Sequence, residues 1–322
     1  MHIDPYIILG SAIVGLLVGM TGAGGGALMT PMLILLFGVT PSAAISSDLV
    51  AAVVMRPFGA GVHLRARTVN LRLVRWMVLG SVPAAFLGAY LLHLMGHAKA
   101  AQGNIKTALG IALLIGAAAM ALRLYLDRRG GHARTGAVRE VTVRPLPTIA
   151  IGVVGGVVVG MTSVGSGSLM IVLLLFTYPT IGAKQLVGTD LTQAVPLTLA
   201  AAIGALLFGH VVLGVTASLI IGSVPAVLIG STLSSTVPDR YIRPAIAFVI
   251  FASGLKYAGL GTSALGWTLC GVLLAAGLLW FMAARPWRMA ANSRAAQVGA
   301  IPDASVQRVD GDEPELVPER QA

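Results

Sequence analysis

The sequence predicts an all-α polytopic membrane protein of two inverted repeats, each a Gly-broken helical hairpin followed by three membrane-spanning helices, plus an extra C-terminal helix. Three observations predict this fold class. The composition is apolar: 56% of the 322 residues are hydrophobic and only 11% are charged, with a mean hydropathy of +0.87, unlike soluble domains. Apolar stretches long enough to cross a bilayer recur along the chain. A glycine-rich segment, GMTGAGGGALM at 19–29, recurs as GMTSVGSGSLM at 160–170.

The apolar stretches give the membrane-spanning elements in chain order. A helix rises about 1.5 Å per residue, so about 20 residues cross a hydrocarbon core of about 30 Å. The stretches that meet this length are 43–62, 76–95, 105–124, 187–208, 212–235, 242–260 and 266–283. Two further apolar regions, 6–37 and 148–178, are interrupted by the glycine segments, and we expect pieces of about 11–15 residues, too short to span comfortably. The N-terminus lacks the basic region of a signal peptide, so we expect 6–20 to be mature protein.

Arginines in the connecting segments orient the predicted spans. Cytoplasmic loops of membrane proteins are enriched in Lys and Arg, and here the basic residues lie in the turn after 43–62 and in the central linker (Arg65, Arg67, Arg72 and Arg75; Arg123, Arg128, Arg129, Arg134, Arg139 and Arg144). We therefore expect both segments to be cytoplasmic and the turn around His210 to be external. The polar tail from Arg285, with charges of both signs, is typical of a disordered cytoplasmic extension.

The glycine segments belong to a longer internal repeat. A shift of 141 residues superposes the two segments, and a shift of 142 superposes Asp48-Leu49 on Asp190-Leu191 and GSVPA at 80–84 on GSVPA at 222–226. The loop charges place the two halves in opposite orientations, as in many secondary transporters. The predicted organisation is a first transmembrane repeat at 1–126, a basic cytoplasmic linker at 127–147, a second repeat at 148–260, an extra helix at 261–284 and a tail at 285–322.

The glycine-broken helices predict a binding site for an anion. Irregular backbone is tolerated inside a membrane only where it is buried in protein or lines a water-filled cavity. Helices that restart after Gly26 and Gly167 would point N–H groups and the positive ends of their dipoles into a shared cavity. The predicted binding residues are Thr21, Gly24, Gly25, Gly26, Arg56, Thr162, Ser163, Gly165, Ser166, Gly167 and Ser168. The alternative is that these small residues only allow helices to cross closely.

Ionisable residues within the apolar stretches are candidates for coupling and gating. Asp48 and Asp190 are candidates for carrying a coupling proton, the alternative being helix capping or dipole pairing at the membrane edge. Arg56 is a candidate counter-charge for the anion or a partner of Asp48, the alternative being a side chain that extends to the cytoplasmic surface. His63 and His210 stand near the end of the third helix of each half, where a histidine can sense pH; loop-exposed histidines are the alternative.

The stretch GMTGAGGGALMTPMLILLFGVTPSAAISSDL resembles the first-half signature of the sulfite exporter TauE/SafE family, and VGTDLTQAVPLTLAAAIGALLFGHVVLG with GSVPAVLIGSTL resembles the second half. The resemblance covers roughly residues 6–260. It implies a carrier of small anions such as sulfite or organosulfonates in the bacterial cytoplasmic (inner) membrane. We expect this carrier to act as an exporter and to need no cofactor. Two features depart from the pattern: Arg56-Pro57 has no counterpart in the second half, where position 198 is Thr, and the stretch 266–283 lies outside it.

Other functions remain as alternatives to a carrier. An anion channel would share the predicted site without needing alternating access. An intramembrane hydrolase using Ser166 and His210 is a remote alternative, because the segment lacks the Gly-x-Ser-x-Gly elbow. We expect no enzyme activity, no catalytic residues and no metal site. Cys270 stands alone, which excludes a cysteine-based metal cluster. The expected partners are a small anion, protons and the lipid bilayer, but not nucleic acid, because the arginines lie in loops; a homo-oligomer is left open.

Overall fold

The computed structural model of the chain describes residues 3–21, 25–96, 99–129, 142–179, 181–233, 239–261, 263–272 and 274. Within these ranges the named elements are all helices: α1 (Pro5–Thr21), α2 (Gly26–Leu35), α3 (Pro41–Arg65), α4 (Leu71–Gly96), α5 (Lys99–Arg129), α6 (Pro145–Thr162), α7 (Leu169–Thr177), α8 (Ala183–Phe208), α9 (Leu213–Leu233) and α10 (Asp239–Tyr257). The chain divides into two compact units, 1–265 and 266–322. The second unit is described for 266–272 and 274, all of them helical. The tail 285–322 and most of the predicted linker, including Arg134, lie outside the described residues.

Six helices in the described part of the chain are long and apolar enough to cross a membrane: α3, α4, α5, α6, α8 and α9. They contain the predicted spans 43–62, 76–95, 105–124, 187–208 and nearly all of 212–235. The predicted span 242–260 corresponds to the shorter apolar helix Pro244–Tyr257 within α10. The predicted span 266–283 is described only to residue 274, where the apolar helix Ser263–Val272 covers its first part. The prediction of an all-helical polytopic membrane protein is confirmed.

Both apolar regions that contain a glycine segment form two helices, α1 with α2 and α6 with α7, as predicted. The prediction that every piece is too short to span is wrong for α6, which has 18 residues. This helix begins at Pro145, whose fixed φ suits the first turn. It then continues without a break through Gly152, Gly156 and Gly160. A Cβ at any of the three would overlap backbone of α4, so the glycines allow close helix crossing.

Each half packs its first helix against the other half. Helix α1 packs along α9, and its counterpart α6 packs along α4. At the first of these crossings Gly15 and Gly19 lie against the backbone of Ser223 and Val227. The reading of small residues as packing positions therefore holds for the glycines inside α1 and α6.

Helices α3 and α8 run antiparallel, and two hydrogen bonds between the halves fix this arrangement. The backbone N–H of Asn70, just before α4, donates to Thr189 Oγ1 on α8 at 3.1 Å. The backbone N–H of Val212, just before α9, donates to Ser47 Oγ on α3 at 3.1 Å. The two donors, Asn70 and Val212, are 142 residues apart, and so are the two acceptors, Ser47 and Thr189. We call these two contacts the turn clamps. Antiparallel α3 and α8 are what an inverted repeat requires; the opposite orientation of the halves across a membrane stays a prediction.

Two apolar clusters flank the centre of the first unit. One joins side chains of α1, α2, α3, α5, α9 and α10. The other joins side chains of α3, α4, α5, α6, α7 and α8. Helix α3 contributes to both, through Ala44 and Met55 to the first and through Ile45 and Leu49 to the second. The polar residues of α3 therefore lie between the two clusters.

Candidate functional site

The two helix breaks lie together. Gly26, the first residue of α2, lies so close to Ser163, the residue after α6, that a Cβ at position 26 would overlap the Ser163 carbonyl. Gly25 faces α3, where a Cβ would lie 3.4 Å from Met55 Cε. The contact between Gly26 and Ser163 puts backbone of both halves next to the middle of α3.

The backbone of the α6–α7 break is unusual in three places. Ser163 has φ 60°, Gly165 has φ 119° and Gly167 has φ 88°. The Ser163 N–H donates to the Val159 carbonyl at 2.7 Å and closes α6 with a left-handed residue. A left-handed conformation costs a residue with a Cβ about 1–2 kcal/mol, and such strain clusters at functional sites. The equivalent position in the first half is Gly22, which lies outside the described residues.

Asp48 connects three elements at this point. It is the eighth residue of α3 and only 2% exposed. Thr30 Oγ1 on α2 donates to Asp48 Oδ2 at 2.8 Å. The Ser163 hydroxyl faces the same carboxylate but reaches full hydrogen-bond geometry with no group in the structure. Because helix capping and dipole effects are confined to the first turn, this position does not suit the capping alternative.

Asp190 holds the equivalent position, as the eighth residue of α8, and is 1% exposed. Gln193, one turn further on, brings Nε2 to 3.4 Å from Asp190 Oδ1 and donates to Met170 Sδ on α7 at 2.8 Å. Its Oε1 accepts from Ser81 Oγ on α4 at 3.3 Å. Gln193 therefore joins α4, α7 and α8 around the second carboxylate.

Arg56 is the buried cation of the site. Its side chain is 8% exposed, and Nη1 and Nη2 are both buried without a hydrogen-bond partner among the residues that the structure describes. The carboxylates of Asp48 and Asp190 are near enough to affect its charge, but neither forms a hydrogen bond with Nη1 or Nη2 in the described part of the chain. This burial does not suit the alternative that the side chain extends to the membrane surface, and the role of Arg56 stays a prediction.

The predicted hydroxyl donors divide into two groups. Among the described residues, Ser163 Oγ and Ser166 Oγ are buried and form no hydrogen bond of full geometry, although the Ser163 hydroxyl faces Asp48. The Thr162 hydroxyl is instead occupied by local backbone, donating to the Val158 carbonyl at 2.6 Å. Ser168 precedes α7 without capping it and faces Gly116 of α5. Gly165 and Gly167 form a backbone bridge with each other within the break.

The restarting helices provide two further groups of donors. Neither α2 nor α7 has a side-chain cap at its N-terminus. The Leu28 N–H donates to the Gly25 carbonyl at 3.0 Å and the Met170 N–H donates to the Gly165 carbonyl at 3.3 Å, so the other N–H groups of the first turns are the candidate donors. Helix N-termini of this kind bind anions. Gly24 and the side chain of Thr21 lie outside the described residues.

The two histidines lie at opposite turns. His63 Nδ1 is 2.9 Å from Thr68 Oγ1, and both groups face Gly188 at the start of α8. His210 is exposed in the turn between α8 and α9. Each histidine is thus next to one of the turn clamps, and its role in gating stays a prediction.

A cavity of about 390 Å³ lies beside the site, between α1, α2 and α10. Its lining is apolar, with residues such as Ile13, Leu17, Met32 and Val249. None of the predicted binding residues lines it. An anion would lose its hydration there without gaining polar partners.

Sequence reasoning missed Thr30 and Gln193. Both are polar residues in strongly apolar helices, which is the signal that also identified the two aspartates. Thr30 is indistinguishable by sequence from the many Ser and Thr residues whose hydroxyls bond their own helix, such as Thr198 to the Ala194 carbonyl.

Comparisons with known proteins also indicate a membrane transporter. The model of a family described as sulfite exporter TauE/SafE matches residues 7–257. The probable membrane transporter protein YjnA of Bacillus subtilis (strain 168) is 43% identical over 251 residues, which cover 78% of this chain and 98% of that protein. The probable membrane transporter protein YdhB of the same organism is 23% identical over 251 residues, covering 77% of this chain and 98% of that protein. No solved structure gives a significant match.

Proposed function

The chain belongs to the sulfite exporter TauE/SafE family and is a membrane transporter, and from that premise we propose that it exports small anions such as sulfite or organosulfonates. It works as a secondary transporter in the bacterial cytoplasmic membrane, by alternating access between its two repeats. Protons carried by Asp48 and Asp190 drive the transport.

The observation that carries the proposal is the state of Arg56. A buried guanidinium whose two terminal nitrogens have no hydrogen-bond partner is costly. Its planar fork matches the oxygens of a sulfite or sulfonate group, which would accept two N–H bonds at once. The unpartnered hydroxyls of Ser163 and Ser166 and the N-termini of α2 and α7 supply further donors from the two breaks.

The position of these groups between the halves supports alternating access. The turn clamps join α3 with the start of α9 and α8 with the start of α4, at opposite ends of the antiparallel pair. Release of one clamp at a time would open the site to one side of the membrane while the other side stays closed. Asp48 directly follows the clamp residue Ser47, Asp190 directly follows the clamp residue Thr189, and Arg56 lies nine residues after Ser47 on α3.

Efflux from vesicles tests the proposal. Purified protein is reconstituted into liposomes loaded with sulfite or methanesulfonate, and efflux is measured with and without a pH gradient. We expect saturable efflux that responds to the gradient and is lost in Arg56→Gln. The control variant Arg75→Gln removes an exposed arginine on α4 and should retain saturable efflux.

Two outcomes contradict the proposal. Flux that rises linearly with concentration and ignores the pH gradient would indicate an anion channel. Efflux of sulfite, methanesulfonate and other small organic anions no faster than from protein-free liposomes would rule out the proposed substrates.

A further inference from the structure

We infer that the end of the molecule where α4 and α6 begin binds the headgroups of anionic phospholipids, through the exposed arginines Arg65, Arg67, Arg72 and Arg144. We call these four residues the arginine surface. The inference names a lipid partner and goes beyond the proposed function, because it does not depend on which anion is transported.

Helices α4 and α6 begin at the same end of the molecule. Their contacts advance together along the two helices, since a Cβ at Gly152 would overlap the Met77 carbonyl and a Cβ at Gly160 would overlap the Ala85 carbonyl. The two helices are therefore parallel. Their first turns, which precede these contacts in both helices, lie on the same side of them.

The arginine surface gathers residues from two distant parts of the chain at this end. Arg65 is the last residue of α3, and Arg67 lies in the turn that leads into α4. Arg72 is the second residue of α4. Arg144 directly precedes α6 as its N-cap residue. Because α4 and α6 begin together, the charges of the α3–α4 turn and of the start of α6 act on the same side of the membrane.

The described part of the chain exposes no carboxylate beside these arginines. Asp48 and Asp190 are buried. Asp4 precedes α1, and its backbone N–H donates to Ser218 Oγ near the start of α9, at the opposite end of the molecule. The arginine surface is therefore an exposed group of four positive charges, which attracts anions.

One face of α4 shows that these charges lie at the boundary of the lipid tails. Arg72 is followed on this face, at steps of seven or eight residues, by the exposed side chains of Leu79, Leu87 and Leu94. Such steps of about two turns keep residues on one face of a helix. An exposed row of leucines on a membrane-spanning helix faces lipid, and an arginine at its end extends to the headgroups. Arg75 lies one turn closer to these leucines and is not part of the arginine surface.

Further exposed leucines favour a lipid over a soluble anion as the partner. Leu64 directly precedes Arg65, Leu71 directly precedes Arg72, and Leu146 is the second residue of α6, and all three leucines are exposed. A soluble anion makes no use of them. A phospholipid uses both kinds of group, because its tails contact the leucines while its phosphate accepts hydrogen bonds from the guanidinium groups.

Arg67 occupies a backbone position that favours glycine. The Arg67 N–H donates to the Leu64 carbonyl and the Thr68 N–H donates to the His63 carbonyl, both at 3.1 Å, which ends α3 in a left-handed turn. Arg67 has φ 52°, a conformation that glycine adopts without strain. The arginine side chain is present there against the preference of the backbone, which supports a role for its charge.

Thermal unfolding of the purified full chain in detergent tests the inference. Phosphatidylglycerol or phosphatidylcholine with the same acyl chains is added in increasing amounts, because a ligand that binds the folded state stabilises it. We expect phosphatidylglycerol to raise the melting temperature well above the value with phosphatidylcholine, whose headgroup has no net charge. Inorganic phosphate at the same concentrations should not reproduce the shift.

Variants at position 67 separate the charge from the backbone. Arg67→Gly without lipid should melt at or above the wild-type temperature, because glycine relieves the strain, yet it should bind phosphatidylglycerol about fivefold more weakly. Arg67→Lys keeps the charge and should keep the lipid effect. The double variant Arg67→Gly with Arg72→Gln should bind about 25-fold more weakly. Lys106→Gln is the control, since it removes an exposed lysine of α5, near the helix start that follows the far end of α4, and should bind the lipid as wild type does.

Four results would overturn the inference. They are equal shifts with the two lipids, an equal shift with inorganic phosphate, an unchanged affinity for phosphatidylglycerol in Arg67→Gly, and an equal loss of affinity in Lys106→Gln. The last of these would mean that net charge alone attracts the lipid. If the double variant does not fold, Arg67→Gly decides, because its backbone is less strained than that of wild type.

Discussion

Ser163 combines a strained backbone with a hydroxyl that faces Asp48. Ser163→Gly removes the cost of a Cβ in the left-handed region, and we expect it to be more stable than Ser163→Ala by about 1 kcal/mol. Both variants lose the hydroxyl and should bind the anion more weakly than wild type. Thermal unfolding and calorimetry in detergent measure the two effects. Equal stability of the glycine and alanine variants, with unchanged affinity in both, would mean that Ser163 is neither strained nor a ligand.

Two adjacent glycines provide a matched pair for the contact between the breaks. Gly26→Ala would drive a methyl group into the Ser163 carbonyl, and we expect a loss of about 1–3 kcal/mol of stability from overpacking. Gly25→Ala should be tolerated, because its φ of −59° suits alanine and its Cβ would have 3.4 Å to Met55 Cε. Thermal unfolding of the two variants side by side tests this. Equal melting temperatures would contradict the contact.

At the residue scale, Asp48, Arg56 and Asp190 could each be selected from the sequence because ionisable groups are expensive in apolar helices. The sequence did not predict which hydroxyls are available to a ligand. Thr162 and Ser163 are adjacent polar residues of the same break, yet Thr162 bonds to its own helix and Ser163 does not. That distinction depends on the left-handed turn at Ser163, which a single sequence does not reveal.

The turn clamps act at the scale of helices. Ser47→Ala and Thr189→Ala each leave one backbone N–H without its acceptor, at Val212 and Asn70 respectively. We expect each variant to lose about 1 kcal/mol of stability, as for a lost N-cap. Thr192→Ala is the control, because the Thr192 hydroxyl bonds only the Gly188 carbonyl of its own helix. If the control loses as much stability as the two clamp variants, the clamps contribute nothing specific.

The elements were predictable where periodicity and length decide them. The long spans and both breaks were predicted from apolar length and from glycine-rich segments. The length of α6 was not predicted. Gly152, Gly156 and Gly160 are helix breakers by propensity, but their contacts with α4 hold them in the helix. Tertiary packing overrides intrinsic preference there, and the packing partner lies about 75 residues earlier in the chain.

For the whole molecule, the inverted arrangement can be tested by labelling. Arg67 and His210 are exposed in the turns after α3 and α8, which lie at opposite ends of the antiparallel pair. In a Cys270→Ser background, we expect an impermeant thiol reagent to label His210→Cys in intact cells. Arg67→Cys should be labelled only after permeabilisation. Labelling of both from the same side would contradict the inverted repeat.

The repeat itself could be read from the sequence, since equivalent motifs recur at a nearly constant shift. The exchange of helices between the halves, with α1 packed on α9 and α6 packed on α4, could not be predicted from the sequence. It depends on long-range contacts between similar apolar surfaces. The packing of α3 against α8, which brings Leu191 next to Gly59, is a further long-range contact of this kind.

The most direct test of the account is to locate a bound anion. A structure of the purified protein with bromomethanesulfonate would show the sulfonate by its density and the bromine by its anomalous signal. The account predicts the sulfonate oxygens within hydrogen-bond distance of the Arg56 guanidinium and the Ser163 hydroxyl, between α3 and the α6–α7 break. Density for the anion only at exposed loop arginines or in the apolar cavity beside α10, with Arg56 still unpartnered, would contradict it.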